Sequence, residues 1–122
     1  MSQPRTVVVV DDSATVAKQL TKIFEDSGRY RVLGHAADGL QALKMVRELS
    51  PDFVCLDVVM PNLDGVAALR MMRQFNRNTQ VVIISSLGGL EEMMKEFLEA
   101  GAKSVLSKPL DGEKVLNTLD AL

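Results

Sequence analysis

Four short apolar runs in the sequence each end in a polar side chain, and this pattern constrains the fold more than any other feature. The runs cover residues 6–10, 53–56, 81–84 and 104–107. Apolar runs of this length, separated by helical segments, are typical of buried strands in a parallel sheet. Parallel strands bring their carboxyl ends to one edge, where open α/β sheets bind ligands. The pattern therefore predicts a ligand site at the ends of these runs.

A regular alternation of strands and helices runs through the whole sequence. A further strand is predicted over about residues 31–36, and an amphipathic helical segment follows every predicted strand. Residues that favour helix starts precede four of the helices: Ser13, Asp38, Asp64 and Asp111. Residues that favour helix ends follow two of them: Gly28 and Gly101. These signals predict one α/β domain over residues 1–122.

The composition excludes several classes of protein. Hydrophobic residues make up 47% of the 122 residues, which is enough for one core, and the net charge of −2 argues against a basic nucleic-acid-binding face. No stretch approaches the ~18 consecutive apolar residues of a membrane span, and the first residues lack the apolar segment of a signal peptide. The single cysteine, Cys55, lies in an apolar run and is expected to be a buried thiol in a reducing cytoplasm.

Three acidic residues follow two of the apolar runs. Asp11 and Asp12 come directly after the first run, and Asp57 comes directly after the run at 53–56. If these two strands are neighbours, the carboxylates lie close together, and charges ~4 Å apart repel by roughly 4 kcal/mol at an effective dielectric near 20. A cation relieves that repulsion, and Mg²⁺ suits oxygen ligands of this kind. The alternative is that the three residues only cap helices or face solvent.

A hydroxyl and an amine follow the last two runs. Ser85 can donate a hydrogen bond to a phosphoryl oxygen, and the ammonium of Lys108 can neutralise its charge. A carboxylate on a metal ion, with a lysine opposite, is a suitable nucleophile for phosphoryl transfer. Pro109 follows the lysine, so a cis Lys108–Pro109 peptide bond is a candidate for directing the amine.

Together with the segments 55–65 and 82–86, these residues resemble the receiver domain of two-component response regulators. The resemblance covers nearly the whole chain and includes all five signature positions of that family in order. It implies a flavodoxin-like, doubly wound (βα)5 fold whose five-stranded parallel sheet has the order 2-1-3-4-5. It also implies a phosphorelay signalling domain rather than an enzyme.

The resemblance assigns the acidic residues to separate roles. Asp57 is expected to accept the phosphoryl group. Asp12 and Asp57 are expected to bind Mg²⁺ directly, together with the backbone carbonyl of Val59. Asp11 is expected to act mainly through metal-bound water.

The resemblance also implies a switch beside the phosphoryl group. Lys108 is expected to pair with that group, Ser85 to be the hydroxyl that moves toward it, and Ser86 to fill a small-residue position next to it. Many relatives carry a rotating aromatic residue where this chain has Val105, which is small and stiff. We therefore expect the output to depend more on the loop 85–89. The only histidine, His35, matches no functional position and is expected to be structural.

The partners implied are a sensor histidine kinase, which donates the phosphoryl group from a phosphohistidine, and a downstream target. The target is expected to bind the face formed by helix four, strand five and helix five. The domain itself is expected to be a monomer or a phosphorylation-dependent dimer. Met93 and Met94 are candidates to face a partner. The polar candidates on this face are Glu91, Glu92, Lys95, Glu96, Lys103, Lys114 and Asn117.

Alternative interpretations remain open at this point. The chain looks most like a stand-alone chemotaxis response regulator, but residues 85–87 also resemble receivers of chemotaxis methylesterases. On this alternative, the chain is the receiver fragment of a larger regulator that has an esterase or DNA-binding output. A Mg²⁺-dependent phosphohydrolase with an aspartate nucleophile usually has a second acid at the position of Val59 and a cap insertion, which this sequence lacks. A flavin-binding module would place a phosphate near Asp11 and Asp12, which would repel it.

Overall fold

The computed structural model describes residues 3–58, 60, 64–85 and 91–122. Strands and helices alternate strictly within these residues. The strands are β1 (Arg5–Val10), β2 (Tyr30–Ala36), β3 (Phe53–Asp57), β4 (Gln80–Ser85) and β5 (Ser104–Ser107). The helices are α1 (Ala14–Ser27), α2 (Gly39–Leu49), α3 (Gly65–Phe75), α4 (Glu91–Glu99) and α5 (Gly112–Asp120). Each predicted strand is confirmed to within one residue at either end.

The strands form one parallel sheet in the order β2-β1-β3-β4-β5. This confirms the sheet order that the resemblance implied. The chain progresses to one side of β1 first and to the other side afterwards, so the strand order reverses between β1 and β3. Such a reversal opens a crevice outside the carboxyl ends of the strands, which is the usual ligand position in doubly wound sheets.

Helices cover both faces of the sheet, which explains why its middle strands are continuous apolar runs. On one face, α2, α3 and α4 contribute buried side chains such as Val46, Leu69 and Phe97. On the other face, α1 and α5 contribute side chains such as Phe24 and Leu119. The sheet is therefore held rigidly from both sides, and its carboxyl edge is a fixed platform.

The predicted helix starts are confirmed in atomic detail. Ser13, Asp38, Asp64 and Asp111 each accept a hydrogen bond from a backbone N–H of the first turn that follows. Each bond satisfies a donor that has no partner within its helix. Gly28, with φ of 72°, ends α1 in the left-handed conformation expected of a glycine stop.

The interior of β3 contains the single cysteine. Cys55 is fully buried, and burial raises the pKa of its thiol to about 12. This confirms the expected buried free thiol.

Among the helices of the described residues, none combines the length and apolar composition that crossing a membrane requires.

Candidate functional site at the carboxyl edge of the sheet

The acidic residues converge because β1 and β3 are neighbours in register. Val10 pairs with Leu56, so Asp11 and Asp57 follow side by side at the strand ends. Asp11, Asp12 and Asp57 each offer a carboxylate oxygen, and these oxygens lie within 4.8 Å of one another. The side chains of Asp11 and Asp57 are buried, whereas Asp12 is exposed. The predicted convergence of the three carboxylates is confirmed.

Lys108 extends from the end of β5 into this acidic cluster. Its Nζ lies 3.0 Å from Oδ2 of Asp11 and 3.2 Å from Oδ2 of Asp57. Partial burial alone would lower the pKa of Lys108, but its hydrogen bonds to the two carboxylates and their charges outweigh burial and raise that pKa. The lysine is therefore held in its charged form between two buried carboxylates, whose mutual repulsion it offsets.

Asp11 is also fixed by the turn that leads into α1. Its Oδ1 accepts a hydrogen bond of 2.8 Å from the backbone N–H of Ser13, the capping residue of that helix. The two carboxylate oxygens of Asp11 are thus bound by different groups, a backbone N–H and the ammonium of Lys108. This arrangement sets the rotamer of Asp11 before any ligand binds.

Ser85 and Lys108 lie at the ends of adjacent strands. Ser85 is the buried last residue of β4, it pairs with Ser107, and its carbonyl accepts a hydrogen bond of 2.9 Å from the N–H of Lys108. The Lys108–Pro109 peptide bond is cis, as the sequence suggested. The hydroxyl-bearing residue and the lysine are therefore brought to the same edge as the acids.

Of three further positions predicted from the resemblance, Val59, Ser86 and Val105, only Val105 lies within the described residues. Val59 and Ser86 lie outside the described residues, and so does most of the loop 85–89. Val105 is half-buried on β5, pairs with Ile83 and packs against the core beneath α2, α3 and α4. It is thus part of the packed sheet.

His35 makes a contact that the sequence did not reveal. Its Nε2 lies 2.6 Å from the backbone oxygen of Asp11, within the acidic edge. The sequence presents His35 only as an isolated histidine in a strand, and no local motif marks it. Its direction depends on the pairing of β2 with β1, which only the structure gives.

The donor set fits a hard divalent cation. All three acidic groups offer oxygen, and Mg²⁺ is typically bound by one or two carboxylates while it keeps several waters. The exposed Asp12 leaves one side of the cluster accessible to solvent. The geometry therefore suits a cation that holds an incoming anionic group against the edge.

The fold and site together define a class of protein: a doubly wound α/β domain with an acidic cluster and a lysine at its switch point. Residues 7–120 match the response regulator receiver domain. The chain belongs to this family of phosphorelay signalling domains.

The sequence of this chain is similar to those of chemotaxis proteins. It is 43% identical over 118 residues to chemotaxis protein CheY of Treponema pallidum, covering 95% of this chain and 81% of that protein. It is also 43% identical over 106 residues to protein-glutamate methylesterase/protein-glutamine glutaminase 5 of Myxococcus xanthus, covering 87% of this chain and only 30% of that protein. The chain is therefore a CheY-like receiver domain, of a kind that also occurs within methylesterases.

A solved structure supports the same conclusion. The structure of the CheX-CheY-BeF3-Mg²⁺ complex from Borrelia burgdorferi matches with a TM-score of 0.88 and 39% identity, covering 97% of this chain and 88% of that chain. The flavodoxin-like fold of this chain is thus shared with a chemotaxis receiver.

Proposed function

We propose that residues 1–122 form one cytoplasmic receiver domain in which Asp57 accepts a phosphoryl group from the phosphohistidine of a sensor kinase. The observation that carries this proposal is the position of Lys108, whose Nζ binds both Asp57 and Asp11 at the strand edge. A buried carboxylate beside a fixed ammonium and two further carboxylates is suited to phosphoryl transfer. The domain acts as a signalling switch rather than as an enzyme with its own substrate.

The transfer follows from the position of Asp57 at the end of a central strand. A carboxylate oxygen of Asp57 attacks phosphorus, the P–N bond of the donor breaks, and the released imidazole takes up a proton. The phosphoryl group then lies near Lys108, which neutralises part of its charge. Ser85, on the neighbouring strand end, supplies the hydroxyl that hydrogen-bonds it. Ser86 lies outside the described residues and is proposed, from the resemblance, for the small-residue position beside the group.

Bound at this edge, Mg²⁺ would supply positive charge to the phosphoryl oxygens during transfer. Asp12 and Asp57 would hold it, with the backbone carbonyl of Val59 as the further ligand that the resemblance implies. Asp11 contributes through metal-bound water, in keeping with its two existing hydrogen bonds to Ser13 and Lys108. The support for this assignment is the convergence of the carboxylate oxygens within 4.8 Å.

The switch follows from competition for Lys108. The lysine bridges Asp11 and Asp57 in the structure, and a phosphoryl group on Asp57 provides a stronger anionic partner. Such a group shifts the domain between two states only through its different contacts in each state. Ser85 ends β4 and leads toward α4, so its movement carries the change to that helix. Because Val105 stands where relatives often have an aromatic, this path does not use a rotating ring.

The output face is formed by α4, β5 and α5. On α4, the exposed apolar side chains are Met93, Met94 and Leu98. The exposed polar candidates are Lys95, Glu96, Lys103, Lys114 and Asn117, while the side chains of Glu91 and Glu92 lie outside the described part. A downstream protein binds this face when Asp57 is phosphorylated, with the domain as a monomer or a phosphorylation-dependent dimer.

The relatives favour a chemotaxis pathway. The 43% identity to CheY of Treponema pallidum supports a stand-alone regulator, and the equal identity to a methylesterase supports a receiver within a larger one. Both interpretations assign the same chemistry to the acidic edge. They differ in what the receiver controls.

The test is incubation of the protein with Mg²⁺ and a small phosphodonor, followed by intact mass measurement. The expected result is a gain of one phosphoryl group that requires Mg²⁺ and is lost in Asp57→Asn. Asp64→Asn is the matched control: Asp64 caps α3 outside the acidic cluster, and asparagine caps a helix equally well. A phosphoryl group that persists in Asp57→Asn would contradict the assignment.

A further inference from the structure

The edge strand β2 does not pair evenly with β1. Val7 pairs with Val32, but the next residue, Val8, pairs with Gly34, so Leu33 is an extra residue in β2. The pairing then continues with Val9 opposite His35 and Val10 opposite Ala36. An extra residue of this kind is a β-bulge, and bulges next to sites redirect side chains.

The bulge decides which face of the sheet His35 occupies. Side chains alternate along a strand, and paired residues share a face. Val10 and Ala36 lie in the core beneath α2, α3 and α4, whereas Val9 lies in the core beneath α1 and α5. An even register would have placed His35 opposite Val10. The bulge instead places it opposite Val9, on the face that α1 and α5 cover.

On that face His35 contacts the backbone of Asp11. Its Nε2 lies 2.6 Å from the carbonyl oxygen of Asp11, and since a carbonyl only accepts, Nε2 donates this hydrogen bond. The backbone N–H of Asp11 donates in turn to the carbonyl of Ala36 at 3.0 Å. The end of β2 therefore holds both backbone polar groups of Asp11.

The carbonyl that His35 binds belongs to the peptide plane that joins Asp11 to Asp12. Rotation of that plane changes the direction in which the chain enters Asp12 and hence the position of its carboxylate. In the conformation that this turn adopts, the carboxylate oxygens of Asp11, Asp12 and Asp57 lie within 4.8 Å of one another. His35 thus contacts the peptide group that joins two members of the acidic cluster, Asp11 and Asp12.

We propose that His35 is a positioning residue for the Mg²⁺ site: by binding the Asp11 carbonyl, it orients the Asp11–Asp12 peptide so that both carboxylates face Asp57. This inference rests on the proposed function, because it concerns the same cation. His35 touches neither the cation nor the phosphoryl group. Its loss therefore weakens Mg²⁺ binding by about the factor of five that one ordinary hydrogen bond is worth.

The test is a calorimetric titration of Mg²⁺ into the full chain without a phosphodonor. The informative pair is His35→Gln, whose amide reaches as far as Nε2 and still donates, and His35→Met, which has a similar length and no donor. We expect His35→Gln to bind Mg²⁺ within about twofold of the wild type and His35→Met to bind about fivefold more weakly. His35→Asn, a polar variant whose amide is too short to reach, is expected to match His35→Met.

A control separates positioning from a general structural role. Val32→Ala removes half-buried apolar contacts from the same strand and is expected to lower stability without changing Mg²⁺ affinity. Urea unfolding of each variant shows that the titrated chains are folded. Equal Mg²⁺ affinity in the wild type and in His35→Met or His35→Asn overturns the role of His35, while a wild type that binds no Mg²⁺ overturns the proposed function itself. Equally weak binding by His35→Gln and His35→Met overturns the hydrogen bond as the cause.

Discussion

Asp57 at the end of β3 is 2% exposed and binds Lys108, whereas Leu98 on α4 is 46% exposed, although both belong to one small domain. At the acidic edge, buried charged groups have defined partners at hydrogen-bonding distance. On α4, apolar side chains face outward. A small chemical change at the edge therefore has a large electrostatic effect. The exposed apolar side chains of α4 fit the proposed binding of a partner protein at this surface.

This difference predicts how each region responds to substitution. Removing one group at the edge leaves another charge without its partner, so effects on cation binding and stability are large. Removing a side chain from the surface of α4 changes little within the domain. The following substitutions test that contrast, beginning with the largest expected effect.

Asp12→Ala tests the exposed member of the acidic cluster. Since Asp12 is proposed as a direct ligand, we expect the affinity for Mg²⁺ to fall by at least about 100-fold, more than the 10–100-fold effect typical of groups that only support ligands. Calorimetric titration measures this directly. The control is Glu96→Ala, an exposed acid on α4, which is expected to leave the affinity unchanged. Similar affinities in the two variants would remove the distinction between edge and surface.

Lys108→Met tests the ion pairs of the edge. In the absence of Mg²⁺, we expect the free energy of unfolding to fall by about 2 kcal/mol, because Asp11 and Asp57 lose their cation. This is less than the 3–5 kcal/mol of fully buried pairs, since the lysine side chain is 20% exposed.

Added Mg²⁺ is expected to stabilise Lys108→Met more than the wild type, because the cation takes over the role of the ammonium. Lys103→Met, which changes an exposed lysine, is expected to stay within about 0.5 kcal/mol of the wild type. Urea unfolding of the wild type and the two lysine variants, with and without Mg²⁺, measures all six free energies. Equal stabilities of the two lysine variants would contradict the proposed contrast.

Alkaline pH tests the buried interior directly behind the edge. Cys55, two residues before Asp57, has its pKa raised by burial from 9.0 to about 12, so the folded state keeps a proton that the unfolded state releases. Its contribution is fully present below pH 9 and is lost as the pH rises toward 12. We expect Cys55→Ala to reduce the decline of the unfolding free energy by about 1.4 kcal/mol per pH unit in that window.

Tyr30 is expected to add a second alkaline decline from a higher pH. Burial and its hydrogen bond to Asp120 raise its pKa from 10.0 to about 12. Tyr30→Phe is therefore the control. It is expected to remove the decline that begins near pH 10 and to keep the decline from Cys55 that begins near pH 9. An unfolding free energy of Cys55→Ala that falls with pH as steeply as the wild type's would contradict the buried-thiol account.

Leu98→Ser tests the surface. We expect its free energy of unfolding to stay within about 0.5 kcal/mol of the wild type and its phosphoryl uptake to be unchanged, because the side chain is exposed and is not part of the acidic cluster. Phe97→Ala is the matched control, since Phe97 is the preceding residue of α4 and is buried. Its loss of stability is expected to be several times larger. A large loss in Leu98→Ser would show that this surface is part of the core.

The sequence predicted the features that depend on local signals. The strands at 53–56 and 81–84 are apolar because both faces of the sheet are covered, and Asp64 is a cap because its carboxylate can reach a backbone N–H. The meeting of Asp57 and Lys108 followed from a simple rule, that parallel strands end at one edge.

Features that depend on pairing between distant segments were out of reach. The sheet order came from a resemblance rather than from periodicity. The contact of His35 with Asp11 was missed because it depends on the bulge at Leu33, and a shift of one residue moves a side chain to the opposite face. An isolated glycine within a strand, here Gly34, is compatible with a bulge, but it does not say which residue is the extra one.

The central claim is that Asp57, among the three converging acids, takes the phosphoryl group. Borohydride reduces an acyl phosphate of aspartate to homoserine, which marks the residue permanently. The measurement is to treat the protein with Mg²⁺ and a small phosphodonor, reduce it, and locate homoserine by peptide mass spectrometry. The account predicts homoserine at position 57 only, and only when Mg²⁺ is present. Homoserine at position 11 or 12 would contradict it.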